Sequence, residues 1–207
     1  MNRTLIAVAV ATCAASVLAV AQGGRQPSPD GTSAAQVGGK YVAGGEAPAY
    51  QGGKWIEILY GRPLKRGRDL WGSGAEYGKK LNDSAPVWRA GANVSTRLKS
   101  EVPLVIGGKT VAPGEHTLFI DLKPNAWTFI VSRWAASPEF PGNKDALFGA
   151  FDYTADKDVV RTPMKLEALT YSVEQLTWGF ADMTEAGGRL VFTWDKVMAS
   201  VPFTVGK

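Results

Sequence analysis

Gly187-Gly188-Arg189-Leu190-Val191-Phe192-Thr193-Trp194-Asp195-Lys196-Val197-Met198-Ala199-Ser200-Val201-Pro202-Phe203 is the stretch whose pattern decides the fold class of this 207-residue chain. Successive side chains of a strand point to opposite faces. Leu190, Phe192 and Trp194 therefore share one face, and Val197, Ala199, Val201 and Phe203 repeat the pattern after Asp195-Lys196, which reads as a tight turn. Gly187-Gly188 is itself a turn signal. The same period of two runs upstream through Tyr171–Phe180, with Leu176, Trp178 and Phe180 in phase. It continues through Val159–Ala168, where Val160, Thr162, Met164, Leu166 and Ala168 oppose Arg161, Lys165 and Glu167.

Nearer the N-terminus, Lys54–Tyr60 is a strand closed by Gly61 and Pro63, and Val87–Lys99 reads as a long strand bent at Gly91. Val102–Ile106 and Lys109–Val111 flank the two-residue hairpin signal Gly107-Gly108. Pro113-Gly114 and Pro124-Asn125 turn the chain into Glu115–Leu122 and Ala126–Arg133. Glu76–Asn82 is the one short helix expected, and Ser137–Gly149 reads as loop. Short strands at regular spacing predict an all-β protein, an antiparallel β-sandwich (jelly-roll-like) of about nine to eleven strands with little helix. Trp55, Trp88, Trp127, Trp178 and Trp194 are expected between or near the sheets, and a closed barrel is the alternative.

The ends bound the folded unit. Met1-Asn2-Arg3 is basic, Leu5–Val20 is apolar, and Ala19-Val20-Ala21 has the small-x-small form of a signal-peptidase site. Residues 1–21 are read as a signal peptide cleaved near Ala21, which places the mature chain in the periplasm or outside the cell with no membrane span. The rival reading, a lipoprotein at Cys13, is disfavoured because Thr12 is a poor fit before the cysteine and the apolar region would shrink to about eight residues. Cys13 is the only cysteine, so the mature chain has no disulfide partner. Residues 22–53, rich in Gly, Ser and Pro, are read as a flexible linker, with a single sandwich domain over 54–207. Loss of Arg3 reduces the 23 basic residues to 22 against 19 acidic ones, a mild excess. Lys65-Arg66-Gly67-Arg68 is the one basic cluster; it is too small for a nucleic-acid footprint and reads as a solvated turn.

The chemistry available is narrow. In Trp88-Arg89-Ala90-Gly91-Ala92-Asn93, read as a strand, Trp88, Ala90 and Ala92 face the core while Arg89 and Asn93 present a guanidinium fork and a carboxamide suited to a carboxylate, phosphate or sugar hydroxyl. Arg62 and Arg68 flank a Pro/Gly turn near Trp71 and Tyr77, which could form an apolar wall beside the cations. His116 is the only histidine; it is in phase with Leu118 and Ile120, so zinc chemistry and a Ser-His-Asp relay both lack partners and a packed side chain is expected. Asp152, Asp156 and Asp158 crowd one segment and could supply calcium ligands, although Asp158 is better explained by pairing with Arg161. Two-carboxylate hydrolysis needs neither Cys nor His, and its candidates are Glu57, Asp69 and Asp121. No phosphate-cradling glycine loop is present, and no cofactor is expected.

Gly61-Arg62-Pro63, Gly67-Arg68, Trp88–Asn93, Gly107-Gly108-Lys109, Ala112-Pro113-Gly114, Trp127, Asp158–Arg161 and Trp194, in that order, resemble the bacterial family called domain of unknown function 2911 over about residues 50–205. The resemblance implies an exported, stand-alone, β-rich domain with no established activity. The chain departs from the family pattern at His116, where tyrosine is usual, at Ser132 (asparagine) and at Phe148 (tryptophan). The candidate ligand-binding residues are thus Arg62, Arg68, Trp71, Tyr77, Arg89 and Asn93, with His116, Asp158 and Arg161. The expected partner is a small polar or anionic molecule or a glycan, with a carboxylate-dependent hydrolase or lyase and a structural envelope domain as alternatives.

Overall fold

The computed structural model describes residues 26–44 and 49–206; the signal-peptide reading of residues 1–21 lies outside them. Two antiparallel sheets face each other. The larger contains β1 (Asp30–Val37), β4 (Lys54–Gly61), β5 (Thr96–Ser100), β8 (Gly114–Asp121), β9 (Thr128–Ser132) and β12 (Asp158–Pro163), neighbours in that order, so its strands keep chain order. The smaller runs β13 (Lys165–Thr184), β14 (Gly187–Val205), β6 (Leu104–Ile106) and β7 (Lys109–Val111). This is the sandwich that the alternation predicts.

Period-two burial explains the layering. Ile56, Ile58 and Tyr60 of β4, Leu98 of β5, Leu118 and Ile120 of β8 and Phe129 of β9 meet Leu176 and Trp178 of β13 and Leu190, Phe192 and Trp194 of β14 in one buried cluster. Removing this apolar surface from water, at roughly 25 cal/mol per Å², is the main stabilising term for a chain without a disulfide. A second cluster (Phe119, Ile130, Trp134, Leu147, Ala150 and Tyr153, with Val87) lies on the other side of the larger sheet. The excursion between β9 and β12 builds it. That excursion holds two short strands, β10 (Ala135–Ala136) and β11 (Ala146–Leu147), in parallel, the second inside the Ser137–Gly149 stretch read as loop.

Four sequence readings change. Residues 30–37 lie inside the stretch read as a linker, yet form edge strand β1 in full register with β4, from Asp30↔Gly61 to Val37↔Lys54. Small residues such as Gly31, Ser33 and Ala35 hide a strand whose stability comes from its backbone ladder. A hairpin of β2 (Lys40–Val42) and β3 (Ala49–Gln51) follows. These elements bring the described strands to fourteen, above the nine to eleven expected. Next, Asp195-Lys196 is no hairpin turn: β14 runs through it with a register shift near Val173↔Asp195 and Asp195 at φ 52°, the mark of a bulge. The carboxylate there is held by Lys65 and by Ser172 Oγ at 2.8 Å. Third, the alternation over Val159–Ala168 spans two strands, the chain changing sheets at Pro163-Met164. Last, Trp55 is not a core residue; it is 45% exposed on the outer face of β4.

Candidate functional site

The Trp88–Asn93 stretch is not a strand. Trp88 makes one antiparallel bridge, its N–H donating to Ile120 O at 2.8 Å and its carbonyl accepting from Ile120 N at 2.9 Å. The chain then leaves the sheet until β5. Ala90 (φ 55°) and Asn93 (φ 60°) occupy the left-handed region, which costs an L-residue roughly 1–2 kcal/mol. Indole donors offset this strain: Trp178 Nε1 donates to Ala90 O at 2.8 Å and Trp88 Nε1 to Gly91 O at 3.2 Å, while Thr96 Oγ1 donates to Ala90 O at 3.1 Å. A side chain at Gly61 would overlap Ala92 O, so glycine there lets the loop seat on the end of β4. The expected division survives in part: Trp88 and Ala90 are buried, Arg89 is half-buried and Asn93 is exposed.

Core tryptophans thus pin a loop that presents Arg89. Its guanidinium carbon lies 5.7 Å from the Phe151 ring centroid and 6.0 Å from that of Phe148, and Nη1 donates to Asn93 O at 2.9 Å. Gly149 (φ +66°) backs it; a Cβ there would sit 2.7 Å from Nη1. Burial lowers the Arg89 pKa from its ordinary value, with Asp83 opposing, yet no carboxylate lies within ion-pair distance of it among the described residues. Of five guanidinium donors, one has a protein acceptor among the described residues.

A cleft of about 430 Å³ opens beside it. Arg68 reaches it from the turn after β4, Lys80 and Asp83 from helix α1 (Lys79–Asn82) and its C-terminal cap, and Asn93 from the loop. Ser28 and Trp194 complete the rim. Lys65–Arg68 is the solvated turn expected, with Arg68 N donating to Lys65 O at 3.1 Å across Arg66 and Gly67, both at positive φ. Arg68 Nε also donates to Lys65 O, at 3.0 Å, which fixes its direction. Asn93 Nδ2 donates to Ser28 O at 3.0 Å, tying the N-terminal segment to the rim. Three cations and one carboxylate therefore share the cleft.

Arg68, Arg89 and Asn93 of the predicted set meet here. Arg62 does not: its stem lies across Gly31 of β1, with Nε 3.5 Å from Leu176 O, which makes it a strut between the sheets. Trp71 and Tyr77 serve the core rather than a cleft wall. The Trp71 ring centroid is 4.7 Å from that of Trp127, and Tyr77 Oη accepts from Trp127 Nε1 at 2.9 Å. His116 is half-buried on the inner face of β8, where burial lowers its pKa. Asp158 pairs with Arg161 (Oδ2–Nη1 2.8 Å), and Tyr153 Oη donates to the same oxygen at 2.6 Å. Arg161 also lies 3.5 Å from Asp121. Asp158 thus makes the pairing with Arg161 expected of it, and no group of three or more His, Cys, Asp or Glu among the described residues is arranged to hold a metal ion. Lys80, Asp83 and Phe151 escaped the sequence reading, and Phe148 entered it only as a departure from the family pattern, because no local period links them to residue 89.

The family model described as "Protein of unknown function (DUF2911)" matches residues 44–203. The chain belongs to the DUF2911 family. The match runs from β3 into the last residues of β14 and includes most of the cleft, and leaves β1, β2 and Ser28 outside it. No curated protein and no solved structure matches the chain. Within this DUF2911 domain, Phe148, expected from the resemblance to be a departure from the family pattern, is a ring that faces Arg89.

Proposed function

We propose that this DUF2911 protein is an exported binding domain that takes a small anionic ligand, a carboxylate or phosphate, in the Arg68–Arg89–Asn93 cleft. The observation that carries the reading is Arg89: a half-buried guanidinium without an ion-pair partner among the described residues, lining one cleft with Arg68 and Lys80. A buried charge without a partner is costly, and an incoming anion supplies the partner, each charge-assisted hydrogen bond contributing roughly 1.5–3 kcal/mol. Arg97, Arg161 and Arg189 show the contrast, each facing a carboxylate. Glycoside hydrolysis by two carboxylates needs both groups in one cleft. The Arg89 cleft has Asp83 alone, and Glu57 lines a different hollow, which favours recognition over that reaction in this cleft.

Thermal-shift titration with inorganic phosphate, succinate and citrate at low ionic strength tests this. A ligand at a hundred times its Kd raises native stability by about 2.7 kcal/mol. At least one anion is expected to raise the melting temperature, and Arg89→Gln to weaken it about tenfold or more while leaving the unliganded melt in place. An Arg89→Gln protein that binds as wild type would sink the reading. Export is tested separately by the intact mass of protein recovered from the periplasm or medium, which should begin at Gln22; an unprocessed Met1 form would refute it.

A further inference from the structure

The outer face of the larger sheet is covered over only part of its area. The excursion between β9 and β12 closes over Phe119 and Ile130. Towards β1 the face stays open, and cross-strand registers write two rows on it. One row is Ala34↔Glu57↔Lys99↔Glu115, across β1, β4, β5 and β8; the next pairs Gln36 with Trp55, beside Glu101. Ala34 is small and Gly114 has no side chain, so a concavity of about 530 Å³ forms between them with Trp55 on its rim. The other tryptophans are buried or half-buried; Trp55 alone is 45% exposed. Tyr41, 75% exposed, lies on the hairpin that follows at the same end of the sheet.

We propose that this open face is a second binding site, for an uncharged saccharide chain. A part-exposed indole lining a hollow offers an apolar surface on which the C–H face of a sugar ring stacks. Around it stand the few polar groups such a site needs. Glu101 accepts from Trp55 N at 2.8 Å and so is fixed in place. Lys99 is paired with Glu115 at 3.2 Å. Glu57, half-buried between them, has no hydrogen-bond or ion-pair partner among the described residues. Neighbouring strands lie about 4.8 Å apart, so the row repeats a donor or acceptor at a spacing comparable with one pyranose ring.

Charge sets the class of sugar. Glu57, Glu101 and Glu115 outnumber Lys99 and Arg97, both of which lie against Glu115, so uronates and sulfated sugars are disfavoured. This is the opposite selectivity to the Arg89 cleft, on a different surface. A peptide adding as a strand is disfavoured too. It adds at a sheet edge, which here is β1, and not on the face around Glu57 and Lys99, where β4 is already paired with β1 and β5, and β5 with β4 and β8.

Fluorescence and calorimetric titration of the mature protein with cellohexaose, xylohexaose and the hexamer of N-acetylglucosamine tests the proposal, with polygalacturonate and choline as controls. At least one neutral hexamer is expected to quench and blue-shift the exposed tryptophan emission. Trp55→Ala should weaken that binding at least about tenfold, with the melt unchanged, and Glu57→Gln should weaken it less. Arg89→Gln should leave it unaltered, so failure here and failure of the anion reading are separable. Absence of binding by all three hexamers, binding that survives Trp55→Ala, or equal binding of polygalacturonate would each overturn it. So would choline binding alone, or a ligand-free dimer that Trp55→Ala dissociates.

Discussion

Arg89 and His116 show how burial turns single residues into measurable quantities. Arg89 stays charged at every working pH, so its burial is felt as a demand for an anion rather than as a titration. His116 can titrate, and burial lowers its pKa below the ordinary 6.5. The unfolded chain then takes up its proton first as pH falls, so the folded state is fully favoured above about pH 6.5 and loses stability through the window below it. Denaturant melts at pH 7.5, 6.5 and 5.5 should show this loss, and His116→Tyr should flatten it; identical slopes in the two proteins would contradict the assignment. The histidine's inward phase was legible, since it shares parity with Leu118 and Ile120, both buried. Trp55 carried an equally plain signal in the other direction. It shares parity with Glu57, while Ile56, Ile58 and Tyr60 take the inner face, so side-chain type suggested a core and phase denied it.

At the scale of elements, period two identifies strands without saying where one ends. β14 passes through Asp195-Lys196 with its alternation intact on either side, because a bulge shifts register by an extra residue and a turn does the same in sequence. Only the contacts of Asp195 with Lys65 and Ser172, from elements far along the chain, distinguish the two. The loop between Trp88 and β5 is the converse case. Its residues alternate like a strand, but indole donors from Trp88 and Trp178 hold it out of the sheet. Gly61 is the weak point of that arrangement. Gly61→Ala drives a methyl group into Ala92 O and is expected to cost about 1–3 kcal/mol in chemical denaturation. It should also loosen anion binding, since Arg89 rides on the same loop; an unchanged midpoint would mean the loop seats elsewhere.

For the whole molecule, the strand before the family match tests where the domain begins. β1 pairs with β4 along its length, Val37 is buried, and Ser33 Oγ donates to Trp178 O at 2.5 Å across the sandwich. Removing residues 1–37 should therefore lower the melting temperature and expose the edge of β4, giving concentration-dependent association on size-exclusion chromatography. A tether would be lost without consequence, so an unchanged melt and a monomeric peak would restore the linker reading. The amino-acid sequence by itself determined the all-β class, the inner faces of the long strands, the Gly107-Gly108 hairpin and the family, because period two and turn chemistry are local. Only the tertiary structure decided that Arg68, Lys80, Arg89 and Asn93 share a cleft, that Arg62 is a strut, and that Trp88–Asn93 is a pinned loop and not a strand. Those outcomes depend on which distant donor meets which carbonyl and on how closely two backbones approach, and neither quantity has a period along the chain.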